Sequence, residues 1–259
     1  MNDFLVFAFL FFIGSCIGWG IEVFFRRFIS KNNPERKWIN PGFLVGPYLP
    51  IYGFGLWGMY FVSKLSAVVM TGSEIMDTVV ILIIMTVVMT VIEYAAGLIF
   101  IKGMKVRLWD YSRERFNFQG IICLKFSLAW GVLGCFYYFV INPYVIDWVV
   151  WLSYHLAFSF VIGLFFGVFV IDVCYSSQLL AKIRKFADEK QVVIRYEELK
   201  EFLGKRKEEI RKKRGFLFRC NTGEPVRNEL ERYLENIREK QSRKLEEVKD
   251  SVRRLKDGR

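Results

Sequence analysis

Long apolar runs separated by short polar joints fill the first two thirds of the chain. The runs are Phe4–Phe25, Leu49–Met70, Met76–Ile101, Ile121–Ile141 and Ile146–Val173. As helices rising ~1.5 Å per residue, each can cross the ~30 Å hydrocarbon layer of a bilayer. The pattern therefore predicts five transmembrane helices over residues 1–173. Beyond Cys174 it changes to charged residues, with apolar positions at helical spacing and no spanning run. Ser176–Arg214 reads as an amphipathic helix broken near Gln191–Arg195. Gly215 with Asn221–Pro225 reads as a stop, a turn and a fresh start. Leu230, Leu234, Ile237 and Gln241, then Leu245, Val248, Val252 and Leu255, recur at spacings of three and four. That predicts a coiled-coil-like seam over 226–256, or a helix packed on a neighbour from its own chain. The expected fold class is an all-α polytopic membrane protein. It has a five-helix transmembrane domain, 1–173, and a helical cytoplasmic tail, 174–259.

Composition agrees and charge adds direction. Of 259 residues, 53% are hydrophobic and 17% aromatic, too apolar for a soluble domain of this size. The tail holds 25 of the 37 basic and 16 of the 26 acidic residues, so it carries +9 of the net +11. Next to membrane spans, such a basic tail suits the anionic inner leaflet or a soluble partner better than nucleic acid. Met1–Asp3, Thr71–Ile75 and Asn142–Val145 carry no basic side chain. The first loop carries Arg26, Arg27, Lys31, Arg36 and Lys37. The third carries Lys102, Lys105, Arg107, Arg113 and Arg115. This alternation puts the N-terminus outside and the tail in the cytoplasm. The first span has neither a basic leader nor a small-residue cleavage pattern and reads as a retained helix.

The second run opens on helix breakers. Asn40–Gly55 contains Pro41, Pro47 and Pro50 with Gly42, Gly46, Gly53 and Gly55. Irregular backbone at membrane depth survives only inside protein or against a wet cavity, and interrupted spans mark binding sites in transporters. The alternative is an entry turn just outside the hydrocarbon. Glu93 lies about nine residues before Lys102, hence ~13 Å from the cytoplasmic edge. An ionisable group that deep faces the bundle interior and is functional by default. A structural hydrogen bond or ion pair is the competing explanation. Glu22 lies one turn before Arg26 and either pairs with it or faces the same interior. Lys125, one turn into the fourth span, falls at a depth that suits pairing with Glu22. Lys64 lies toward the outer end and can snorkel outward.

Glu22, Asn40, Tyr52, Glu93, Tyr94 and Lys125 are thus candidate substrate-binding residues in the cytoplasmic half. Trp19, Trp109, Asp110, Tyr111, Asn117 and Trp130 are candidate interfacial or coupling residues. Gly42, Gly46, Pro47, Pro50 and Gly53 shape the backbone. Asp110 is placed to cap a short interfacial helix in the third loop. In a permease that helix would be a coupling element; in a lipid-handling protein it would grip headgroups. Gly163 and Gly167 form a GxxxG pair that suits close helix packing or a dimer face.

Cys16, Cys123, Cys135, Cys174 and Cys220 have no metal-ligand spacing and read as small hydrophobes. His155, in the outer half of the fifth run, reads as bonding a neighbouring helix. No cofactor or metal is expected. The chain contains no GxxxxGK[ST], HExxH or GxSxG, so it cannot hydrolyse ATP by the P-loop route.

Several of these motifs together resemble one family. Gly18-Trp19 with Glu22, Asn40–Gly55, Glu93-Tyr94, Leu108–Ser112, Asn117 with Gly120, and Phe126-Ser127 with Trp130-Gly131 look like the ABC-transporter type IV permeases, over residues 12–135. The resemblance implies a permease-like protein of a bacterial cell membrane, served by a separate ATP-binding cassette subunit. It names no substrate. Two other readings remain from the residues themselves. One is a membrane-embedded enzyme or binder of a lipid or isoprenoid amphiphile. The other is a scaffold that recruits a partner through its tail.

Overall fold

The computed structural model describes residues 3–30, 33, 35–67, 72–204 and 226–257, except for the side chains at 3, 67, 153, 156 and 248–257. The chain divides into two compact units, Met1–Gly103 with Leu108–Leu179, and Met104–Arg107 with Leu180–Arg259.

The first unit is built on α1 (Asp3–Phe28), α2 (Pro50–Lys64), α3 (Glu74–Leu98), α4 (Leu124–Phe136), α5 (Asn142–Tyr154) and the first part of α6 (Leu156–Lys190). The first four pack in chain order, α1 on α2, α2 on α3 and α3 on α4. Among the described residues, four helical segments are long and apolar enough to cross a membrane. They are Phe4–Phe28, Glu74–Gly103, Leu124–Leu152 and Ala157–Lys190. The expected second span corresponds to α2, which has 15 residues before a 3-10 turn, Leu65–Ala67. That is about 22 Å of helix. Residues 68–70 of the expected run lie outside the described residues.

These helices are apolar on both faces, as lipid requires. Along α3, Ile81, Met85, Met89, Glu93 and Gly97 are buried at intervals of four. Val79, Ile83, Val87 and Val91 form an exposed row on another face. The buried row meets Val6, Leu10, Met59, Tyr60, Trp130 and Tyr137 in one core. Glu93 therefore occupies a core position of its helix, in line with the methionines.

Two expected boundaries are corrected. Asn142–Val145 is not a loop. α4 continues into α5 through a π-helical turn, Tyr137–Ile141, in which the Asn142 N–H bonds the Tyr137 carbonyl. Pro143 follows immediately, in the first turn of α5. The break comes at His155, whose backbone is non-helical (φ −117°, ψ 79°). His155 thus falls between the apolar segments Leu124–Leu152 and Ala157–Lys190, and its ring bonds back to its own preceding turn. Its Nδ1 lies 2.6 Å from the Trp151 carbonyl oxygen, and its ring stacks on Trp151. Gly163 and Gly167 border open space in this unit.

The third loop is a second correction of kind. The short interfacial helix expected after Asp110 is absent from the described residues 108–123. Asp110 instead closes an Asx turn, its carboxylate accepting from the Ser112 N–H at 3.0 Å. The chain then forms a hairpin, β2 (Asn117–Phe118) antiparallel to β3 (Ile122–Cys123). Asn117 spans its own turn, donating to the Glu114 carbonyl at 2.8 Å and accepting from the Gly120 N–H at 3.2 Å.

The second unit joins a strand from the third loop to the tail. β1 (Val106–Arg107) pairs in parallel with β4 (Ile194–Arg195), which sits at the break expected near Gln191–Arg195. Val106, Leu180, Ile183, Phe186, Ala187, Ile194, Leu199, Leu230 and Tyr233 are buried in it. α7 (196–204) and α8 (Val226–Asp257) meet through Phe202 and Tyr233, with ring centres 5.8 Å apart. The first turns of the expected seam thus pack on their own chain. Leu245 is exposed, and the side chains of Val248, Val252 and Leu255 lie outside the described residues. So do Gly215 and Asn221–Pro225.

Candidate functional site

Glu93 enters from α3 and is 4% exposed. One carboxylate oxygen accepts from the Tyr111 hydroxyl at 3.0 Å, and the other from the Trp130 indole N–H at 3.0 Å. No basic side chain reaches it among the described residues. A carboxylate in such a place is held by dipoles instead of a counter-charge. The donors come from different elements, Tyr111 from the third loop and Trp130 from α4. Burial, with the Glu93 charge beside it, pushes the Tyr111 phenol well above its ordinary range, so it stays a donor at neutral pH. Its ring stacks on Phe126, with centres 4.5 Å apart.

From Trp130 the arrangement continues across the bundle. The Trp130 ring lies 5.1 Å from the Tyr52 ring of α2. The Tyr52 hydroxyl donates to Glu22 of α1 at 3.3 Å, and Glu22 pairs with Arg26 at 2.8 Å. A Cβ at Gly18 would overlap the Tyr52 ring, so the close approach of α1 and α2 needs glycine there. Glu93, Trp130, Tyr52, Glu22 and Arg26 thus form one row of contacts through α3, α4, α2 and α1.

The Pro/Gly stretch is held by a second carboxylate. Asp172 of α6, 9% exposed, accepts from the N–H groups of Val45 at 3.0 Å and Gly46 at 2.7 Å. It also accepts from the Tyr48 hydroxyl at 2.6 Å and the Ser176 hydroxyl at 2.9 Å. Asn40 accepts from the Trp19 indole at 2.6 Å and donates to the carbonyls of Leu44 and Val45. Gly42 turns the chain with φ +74°, and Pro50 begins α2 in its first turn. The irregular backbone is therefore bonded from two helices, by Asp172 of α6 and Trp19 of α1.

The remaining expected residues fall around this frame. Tyr94 donates to Gln119 of the hairpin at 3.3 Å, and the Trp109 indole donates to the Ile121 carbonyl at 2.8 Å. Lys125 departs from expectation. It is exposed and pairs with Glu114 at 3.4 Å, while Glu22 has Arg26. The first turn of α4 points Lys125 toward the loop acid, away from the bundle interior. Sequence reasoning assigned no role to Asp172, Tyr48, Glu114 or Gln119. Only Asp172 carried a usable signal, a lone carboxylate closing an apolar run.

The family described as "putative ABC-transporter type IV" matches residues 9–177, about two thirds of the chain. The chain belongs to this family. The match runs from within α1 to just past the buried Asp172 and Ser176 of α6, so both carboxylate clusters lie within the family region. With four long apolar helices, this is a membrane protein of the ABC-transporter type IV family. No curated protein and no solved structure matches the chain.

Proposed function

We propose that the chain is the membrane-embedded, permease-like part of a transport system whose ATP is hydrolysed by a separate ATP-binding cassette subunit. Family membership supports the class. The observation that carries the site is Glu93: a carboxylate in a membrane core, held by Tyr111 and Trp130, with no basic partner among the described residues. Burying such a group is expensive, and in membrane proteins it marks substrate or ion handling. In this reading Glu22, Asn40, Tyr52, Glu93 and Tyr94 form the polar region that meets substrate from the cytoplasmic side. The Asn40–Gly55 stretch is its backbone wall, and Lys125 serves at its rim. The membrane is the bacterial cytoplasmic membrane, with the N-terminus outside and α2 completing five crossings. The tail is the surface that meets a soluble partner or the inner leaflet.

The test is affinity purification of the full chain in mild detergent, with bound proteins identified and ATPase activity measured after reconstitution. An ATP-binding cassette subunit should co-purify, and the complex should hydrolyse ATP. Glu93→Gln keeps the side chain's shape and should abolish transport-linked stimulation while the protein still accumulates and stays folded. Purification without any such subunit refutes the permease assignment. Full stimulation in Glu93→Gln refutes the role of the carboxylate.

A further inference from the structure

The end of α1 carries an aromatic face that the bundle does not use. Phe24, Phe28 and Trp38 are each more than half exposed, and their rings form one cluster. Trp38 stands edge-on to both phenylalanines, with centres 5.8 Å from Phe24 and 6.2 Å from Phe28. Asn33 and Arg36 bond back to the end of the helix. Asn33, 6% exposed, donates to the carbonyls of Arg26 and Lys37 and accepts from the Lys37 N–H. Arg36 donates to the Arg27 carbonyl at 2.9 Å.

Arg27 lies over this cluster. Its guanidinium carbon is 4.0 Å from the Trp38 ring centre and 5.5 Å from that of Phe28. No carboxylate pairs with it among the described residues. The nearby acids are taken, Glu22 by Arg26 and Glu35 by Lys37. The Arg27 Nε is buried and has no hydrogen-bond partner. The outer end of the guanidinium carries no acceptor among the described residues, and its paired nitrogens match a phosphate oxygen pair.

We infer that this face is a binding site for an anionic phospholipid. The three rings would lie against the glycerol and upper acyl region, where amphipathic aromatics settle. The outer nitrogens of the Arg27 guanidinium would take the phosphodiester, the buried Nε lying behind them, and Arg36 would add positive charge at the headgroup level. The occupant is a lipid because the apolar rings and the unpaired cation share one exposed face. A free anion would leave the rings in water. The site is separate from the Glu93 cluster and does not depend on the transport reading.

The experiment is native mass spectrometry of the full chain in detergent. It compares retention of phosphatidylglycerol and phosphatidylcholine of equal chain length. The wild type should hold phosphatidylglycerol preferentially. Arg27→Gln and Trp38→Ala should each weaken that retention about tenfold, the scale of one charge-assisted contact. Arg115→Gln removes an exposed charge elsewhere in the same unit and should leave retention unchanged. Equal retention of the two lipids overturns the proposal. So does equal loss in Arg115→Gln, which would mean general charge attraction. So does displacement by millimolar inorganic phosphate, which would mean a free-anion site. If Trp38→Ala fails to fold, Arg27→Gln against Arg115→Gln decides.

Discussion

Asp172→Ala should loosen the whole Asn40–Gly55 stretch. The wild-type carboxylate satisfies two backbone N–H groups and two hydroxyls in a mostly buried place. Tyr48 and Ser176 can turn their hydroxyls elsewhere, but the N–H groups of Val45 and Gly46 are fixed by the chain. Leaving a buried donor unsatisfied costs ~1–3 kcal/mol, and donors to a charged acceptor fall at the upper end. Two stranded N–H groups, less what water entry restores, give a loss of about 3–5 kcal/mol, comparable to breaking a buried charged pair. For a chain of this size, 1 kcal/mol moves the melting point by about 2–4 °C. A drop on the order of 10 °C is expected in detergent. Asp172→Asn should fall between, since its amide nitrogen faces donors. Tyr48→Phe should cost about 1.5–3 kcal/mol, the worth of one bond to a charged group. The assay is thermal unfolding of the purified full chain, paired with limited proteolysis at 40–49. Melting of Asp172→Ala within ~1 °C of wild type, with no new cleavage, would show that the carboxylate does not hold this segment.

Three further outcomes check other parts of the reasoning. In a background without native cysteines, Ser73→Cys should react with an impermeant thiol reagent in intact cells and Arg113→Cys should not; the reverse pattern would overturn the inferred orientation. Val106→Asp places a charge at a fully buried strand position and should expose the tail to protease, without disturbing labelling at Ser73→Cys; a protected tail would mean that β1 is dispensable to the second unit. Gly18→Val should separate α1 from Tyr52 and lower the melting point by several degrees, whereas Gly20→Val, where a Cβ meets nothing, should not; equal effects would mean that helix propensity, not packing, sets the cost.

The hydrophobic pattern alone determined that this is a helical membrane protein. Runs of about 20 apolar residues have no other stable home, since backbone in lipid must bond within its own helix. It also singled out Glu93, because a carboxylate that deep needs an explanation, and Asn40–Gly55, because its prolines and glycines cannot form a regular span. What hydropathy could not determine was where helices join. Asn142-Pro143 looks like a turn by residue type, yet a π-helical turn carries the helix through it, and the helix breaks at His155. Partners were equally out of reach. Depth along a helix suggested Lys125 for Glu22, but rotation about the helix axis decides which side chains meet, and it turned Lys125 to Glu114. Asp172 is separated from Val45 by 127 positions, so only packing could bring that carboxylate to the broken backbone it satisfies. The same holds for Val106, which lies between membrane segments in sequence but completes a sheet with the tail.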